Sequence, residues 1–198
     1  MNVRLQYDVE FLAGIYMDSH LQLNKYKASM NLVTKDAGES VGIAMERLKA
    51  FVFGIMENTV FIHQDHSEQA EMLHVMGVNV TTLPEQPLDQ IIGIMLYCKL
   101  NAIMEGRMVI TALDIASELG DNIYYQHDEE DVLGPFAADG WWSQANTRHN
   151  NIDSEQPGEK IVRVVNYGWK ELDLDWPDQS SDKPSNTVVY GKFTKHEN

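Results

Sequence analysis

The sequence predicts an α+β fold: an antiparallel N-terminal hairpin, three helices interleaved with short strands, a second hairpin, and an irregular acidic C-terminal layer. Three observations carry this. Apolar and polar residues alternate strictly near the N-terminus, the mark of strands with one buried face. Between residues 40 and 105, apolar residues recur at three- and four-residue spacing, as on helices that bury a stripe. The composition then shifts along the chain. All ten Met lie between Met1 and Met108 and all four Trp between Trp141 and Trp176; residues 1–113 carry a net of five negative charges and residues 114–198 a net of ten.

Val3, Leu5, Tyr7, Val9 and Phe11 alternate with Arg4, Gln6, Asp8 and Glu10, and Tyr26, Ala28, Met30 and Leu32 with Lys25, Lys27, Ser29 and Asn31. Two such strands pair as a hairpin. Their connection, Gly14–Asn24, is long for a hairpin, and long loops tend to carry contacts. The run from Asp36 to Ser40 offers caps for a helix reaching about Glu57, with Ala44, Leu48, Phe51, Val52 and Ile55 on its stripe and Met45, Phe53 and Met56 widening it. Asn58 closes it, and Thr59–His63 reads as a short strand. Asp65, His66, Ser67 and Glu68 match a capping box opening a second helix that ends at Gly77. Val78–Leu83 is a further strand. Leu88–Glu105 is a third helix, apolar on most sides and so central, ended by Gly106. Arg107–Glu118 and Ile123–His127 form the second hairpin around Gly120, Asp121 and Asn122, and the interleaving leaves room for a local α/β segment. Beyond His127 the periodicity fades. Asp128–Asn151 reads as irregular, Ile161–Tyr167 and Thr187–Phe193 as short strands, and Asp178–Asn186 as a polar loop. Residues 1–127 are thus a Met-rich core and residues 128–198 an acidic, Trp-containing extension packed on it, one domain overall.

The net charge of −15 has the wrong sign for a nucleic-acid backbone, whose binding is driven by Lys and Arg releasing counterions. It also repels anionic membranes, so neither is expected as a partner. The N-terminus shows no basic region followed by an apolar one, and the apolar runs near Ala50–Met56 and Ile91–Tyr97 are short of a membrane span. The single Cys98 lies in the apolar run Ile91–Leu100, as a buried inert thiol would, and one Cys suits a reducing cytoplasm. There is no Gly-rich phosphate loop, no nucleophile elbow and no internal repeat.

Three clusters could carry chemistry. His63, Asp65 and His66 fall within four residues, and imidazole and carboxylate are ordinary zinc ligands. The run Phe61–His66 resembles the last four positions of the His-x-His-x-Asp-His motif of metallo-β-lactamase-type hydrolases, with Phe61 where the first ligand stands. That resemblance covers six residues and implies a metal-dependent hydrolase; in that reading His127 or Asp128 completes the shell. The second cluster is the acidic run His127–Asp131, whose carboxylates suit Ca²⁺ or Mg²⁺. The third is the set Trp141, Trp142, Trp169 and Trp176, which serve either as anchors for an irregular layer or as a protein-binding patch. No cofactor is expected, with a divalent metal left open.

The runs Ala44–Val52 and Glu57–Ile62, Gly120–Tyr125 and Asp139–Trp142 resemble uncharacterised proteins of marine tailed phages. The resemblance spans most of residues 40–142 and implies a host-cytoplasmic protein without implying an activity. The expected function is a non-enzymatic accessory protein that binds a protein partner, basic or a second copy of itself, through its acidic aromatic C-terminal surface. The hydrolase is one alternative. A virion assembly component, with Gly14–Asn24 as a subunit contact, is another.

Overall fold

The computed structural model describes residues 3–35, 38–152 and 168–177. Its elements are β1 (Arg4–Met17), β2 (His20–Thr34), α1 (Glu39–Phe51), β3 (Thr59–His63), α2 (Ser67–Val75), β4 (Asn79–Leu83), α3 (Asp89–Met104), β5 (Met108–Ser117) and β6 (Tyr125–Asp128). A π-helical turn, Val52–Met56, extends α1. The strands form one mixed sheet in the order β4-β3-β1-β2-β5-β6. The α+β reading holds, and β3-α2-β4, whose strands pair in parallel, is the local α/β segment.

Both hairpins are antiparallel, but the first is longer than the alternation predicts. No long loop spans Gly14–Asn24: β1 and β2 continue to a two-residue turn at Asp18 and Ser19, both at positive φ (51° and 62°), the twist that suits a tight hairpin. Pairing runs unbroken from Leu12↔Lys25 to Met17↔His20. Gly14 fits because a Cβ there would lie 3.1 Å from Val60 and 3.3 Å from Leu21. Leu12, Leu21 and Leu23 are exposed, and these outward apolar residues hide the period of two.

The main core lies on one face of the sheet. Val9, Phe11 and Ala13 of β1, Tyr26, Ala28, Met30 and Leu32 of β2, and Ile110, Leu113 and Ile115 of β5 pack there against Ala44, Leu48 and Phe51 of α1 and Ile92, Leu96, Leu100 and Ile103 of α3. Phe53, expected on the stripe of α1, is exposed because the π-helical turn shifts the register there. A second cluster contains Val60, Ile62 and Val80 from alternate positions of β3 and β4, with Ala70 and Leu73 of α2. It occupies the opposite face of the sheet, since Phe61, between Val60 and Ile62, belongs to the main core. β3 is therefore buried on both faces, which explains its continuous apolar run.

The helix starts differ from expectation. His66 is the N-cap of α2 and makes no side-chain cap bond, and α1 starts at Gly38 in the same way. The stops hold: Asn58 and Gly77 have φ of 63° and 82°. At the start of α3, Asp89 accepts hydrogen bonds from the Ser117 hydroxyl at 2.9 and 2.7 Å, placing a carboxylate at the positive end of the helix dipole. At the other end Glu105 and Gly106 take positive φ (47° and 75°).

Closer to β6, a Cβ on Gly93 of α3 would lie 2.6 Å from Nε2 of His127 and 2.7 Å from Ile115. Gly93→Ala is therefore expected to lower stability by about 1–3 kcal/mol through overpacking, outweighing a gain of roughly 1 kcal/mol in helix propensity. A urea midpoint at or above that of the wild type would refute it. No helix among the described residues is long and apolar enough to cross a membrane. The strands expected at Ile161–Tyr167 and Thr187–Phe193 and the loop Asp178–Asn186 lie outside the described residues.

Candidate functional site

His63 ends β3 and His66 begins α2, and their rings stand edge to face with centroids 6.2 Å apart. Both nitrogens of His63 are already engaged. Nε2 donates to the Pro84 carbonyl at 3.1 Å, and Nδ1 accepts the Asp65 backbone N–H at 3.2 Å. The ring of His66 packs against Tyr16. His127 and Asp128 lie on β6, four strand spacings from β3 in the same sheet, or about 19 Å. The five residues His63, Asp65, His66, His127 and Asp128 therefore do not form one metal centre. No group of three or more His, Cys, Asp or Glu among the described residues is placed to hold a metal ion. Spacing brought His63 and His66 together correctly but could not show that strand order separates them from β6.

His127 is buried, with Nε2 against Gly93 and without a hydrogen-bond partner among the described residues. Burial lowers its pKa, against the opposing charges of Asp131, Asp114 and Asp128. The neighbouring acidic loop bonds to itself: Asp131 accepts from the backbone N–H of Asp128 at 3.0 Å and Asp128 from that of Glu130 at 2.9 Å. Glu129, Glu130 and Asp131 stay exposed. Cys98 is half-buried against the main core rather than within it, and that burial pushes its thiol up to about 11, away from the reactive thiolate.

All four Trp side chains are buried, so they face inward rather than forming an outward contact patch. Each indole N–H has a partner. Trp141 donates to the Thr82 carbonyl of β4 at 2.9 Å, Trp142 to the carbonyls of Phe136 and Ala138, Trp169 to that of Ala145, and Trp176 to Oε1 of Glu105 at 2.7 Å. An indole pairs a large apolar body with one donor, and here the donors tie an irregular layer to the sheet and to itself.

The layer is held at two centres built on basic side chains that spacing alone did not single out. The first is Arg47 of α1, 2% exposed. Its guanidinium lies 3.9 Å from the ring centroid of Trp176 and 4.9 Å from that of Trp169. It donates to the Leu174 carbonyl at 2.8 Å, the Ile103 carbonyl at 3.3 Å and Glu105 at 2.8 Å. Arg107 stacks on Trp176 at 4.4 Å. Burial pulls the Arg47 guanidinium below its ordinary value, and Glu105 opposes that shift.

The second centre is Lys99, a fully buried residue on α3. Its Nζ donates to the carbonyls of Trp141 and Gln144 at 2.9 and 2.8 Å, and the rings of Phe51 and Trp141 flank it. Burial lowers its pKa to about 7. The visible signal was a lone charge within the apolar run Ile91–Leu100.

The outward surface has a different aromatic composition. β6 pairs only with β5 among the described residues. Leading into it, Ile123 and Tyr124 are 56% and 60% exposed, and Tyr125 is 38% exposed. Val132 stands exposed beyond the acidic loop.

No family model matches the chain, and none of the curated proteins is similar to it. Among solved structures, an uncharacterized protein from Wolinella succinogenes is 10% identical with a TM-score of 0.49, covering 66% of this chain and 99% of its own. The 6-pyruvoyl tetrahydropterin synthase from Plasmodium vivax is 9% identical with a TM-score of 0.41, covering 64% and 97%. Likeness at this level carries neither an activity nor a ligand over to this chain.

Proposed function

We propose that the protein is a non-enzymatic interaction protein that binds a basic protein segment at its β6 edge. The observation that supports this reading is the exposed run Ile123, Tyr124 and Tyr125, which leads into β6 at Tyr125, close in the chain to the exposed carboxylates of Glu129, Glu130 and Asp131. With the Trp side chains buried, the exposed aromatic side chains leading into this acidic loop are Tyr124 and Tyr125 among the described residues. Tyr is prominent among residues that anchor interfaces, acidic groups steer and orient a basic partner, and a strand paired on one side can accept another extended segment.

A labelled Lys/Arg-rich extended peptide, titrated by fluorescence anisotropy, tests this. Tyr124→Ala with Tyr125→Ala is expected to weaken binding by about tenfold or more. Glu129→Lys with Glu130→Lys should abolish the salt dependence of binding. Binding unchanged in both variants would sink the proposal.

A further inference from the structure

Residues 141–152 lie along the outer edge of β4, and among the described residues side chains rather than a strand cover that edge. The carbonyls of Asn79 and Leu83 face β3, where the Thr59 hydroxyl and the Gln64 N–H reach them. Those of Val80 and Thr82 point the other way. They are taken by Nδ2 of Asn150 at 2.9 Å and Nε1 of Trp141 at 2.9 Å. The N–H of Asn151 adds a bond to the Thr82 hydroxyl at 3.0 Å. An unpaired sheet edge invites pairing with another chain, and folded proteins cover it.

Two further attachments run through titratable groups. Lys99 binds the carbonyls of Trp141 and Gln144, and the buried His149 contributes the other. Nε2 of His149 lies 2.6 Å from Oδ1 of Asn79. The amide nitrogen of Asn79 donates to the Ile55 carbonyl, so its oxygen faces the ring and Nε2 carries the proton. Nδ1 faces the Thr147 carbonyl at 3.3 Å. The groups facing this pair are Lys99 from α3, His74 from α2, the Phe51 and Trp141 rings, and amide or carbonyl oxygens; no carboxylate among the described residues faces either group. An added proton on Lys99 would be a buried cation without a counter-charge, and one on His149 would add a buried cation near Lys99 and His74.

We propose that residues 141–152 are a releasable cover over the β4 edge, shut while Lys99 and His149 are uncharged and loosened by acid. Opening hydrates both groups and bares the outward carbonyls of Val80 and Thr82. Burial, reinforced by Lys99 and His74 and opposed by the Thr147 carbonyl, takes His149 from an ordinary 6.5 to about 4. Burial takes Lys99 from 10.5 to about 7. In both, the closed form binds protons less tightly than the open form. Closure therefore weakens as pH falls from 10.5 to 7 through Lys99, and again from 6.5 to 4 through His149.

Amide hydrogen exchange of the intact chain tests this, corrected for the intrinsic rate and referenced to the central strands β1 and β2. Between about pH 8 and pH 5, opening at Val80, Thr82 and residues 141–152 should rise about tenfold or more through each group. A proton held by the open form and not by the closed one multiplies the opening equilibrium about tenfold for every pH unit of acidification. His149→Gln should remove the lower-pH part, and Lys99→Met the higher-pH part. A referenced rate that is flat with pH, or equally steep in both variants, would overturn the proposal. Should Lys99→Met fail to fold, the His149→Gln comparison and an NMR titration of the wild type decide. Lys99 and His149 titrating at their ordinary values would overturn it as well.

Discussion

Replacing Arg47 by Ala is expected to cost about 3 kcal/mol or more of unfolding free energy and to free residues 168–177 from the core. The charge attraction to Glu105 alone would not produce this. Glu105 is 28% exposed at its side chain, and partly solvated pairs are worth about 1 kcal/mol or less. The loss comes from what surrounds the pair. The guanidinium is held between the faces of Trp169 and Trp176 and supplies donors to the carbonyls of Leu174 and Ile103. Ala leaves the buried Ile103 carbonyl, the partly buried Leu174 carbonyl and the faces of two indoles without their partner.

Two companion variants separate the causes. Glu105→Gln should cost less, because the amide oxygen still accepts from Arg47 and Trp176. Arg47→Lys should recover little, because an ammonium cannot stack between two rings while reaching two carbonyls. Urea unfolding supplies the stability, and the Trp emission maximum reports whether Trp169 and Trp176 become hydrated. An Arg47→Ala protein with the wild-type midpoint and emission would show that the clamp is not structural.

How far the sequence could be read depends on whether each determinant is local. β2 was legible because each of its faces keeps one character from Lys25 to Leu32. β3 and the limits of α3 were legible from their punctuation by Asn58, Gly106 and a short apolar run. The tip of the first hairpin was not, because Leu12, Leu21 and Leu23 place apolar groups on the outward face, against the pattern that marks a strand. The capping box at Asp65–Glu68 failed because a sequence match does not oblige a side chain to turn back: the side chain of Asp65 is 82% exposed. The histidine cluster was half legible. Local spacing does bring His63 beside His66, but the order of strands places β6 at the far edge. Arg47 and Lys99 act through partners far along the chain, Leu174 for Arg47 and Trp141 for Lys99, so no window of residues around either contains its role. What marked both in advance was a single cation where the helical period calls for an apolar residue.

Lys99→Met should reverse the sign of its effect with pH. At about pH 9 the wild-type amine is mostly uncharged when folded and still donates to the carbonyls of Trp141 and Gln144. Met removes both donors, and stranding two buried acceptors costs about 2 kcal/mol or more, so the variant is the less stable protein there. At about pH 6 the wild type must bury an ammonium or leave it deprotonated against its solution preference. Lowering its pKa from 10.5 to about 7 corresponds to a penalty on the order of 4–5 kcal/mol, which Met does not incur. Between pH 7 and 10.5 the unfolded chain binds a proton that the folded chain does not, so wild-type stability rises with pH through that window. The variant lacks this slope. Its stability curve should cross that of the wild type, with Met the more stable on the acid side, as when a buried charge gives way to a packed apolar side chain of similar size. Denaturant unfolding of both proteins across this range is decisive. Parallel curves would mean that Lys99 keeps an ordinary pKa in the folded chain, and that a carboxylate or water outside the described contacts compensates its charge.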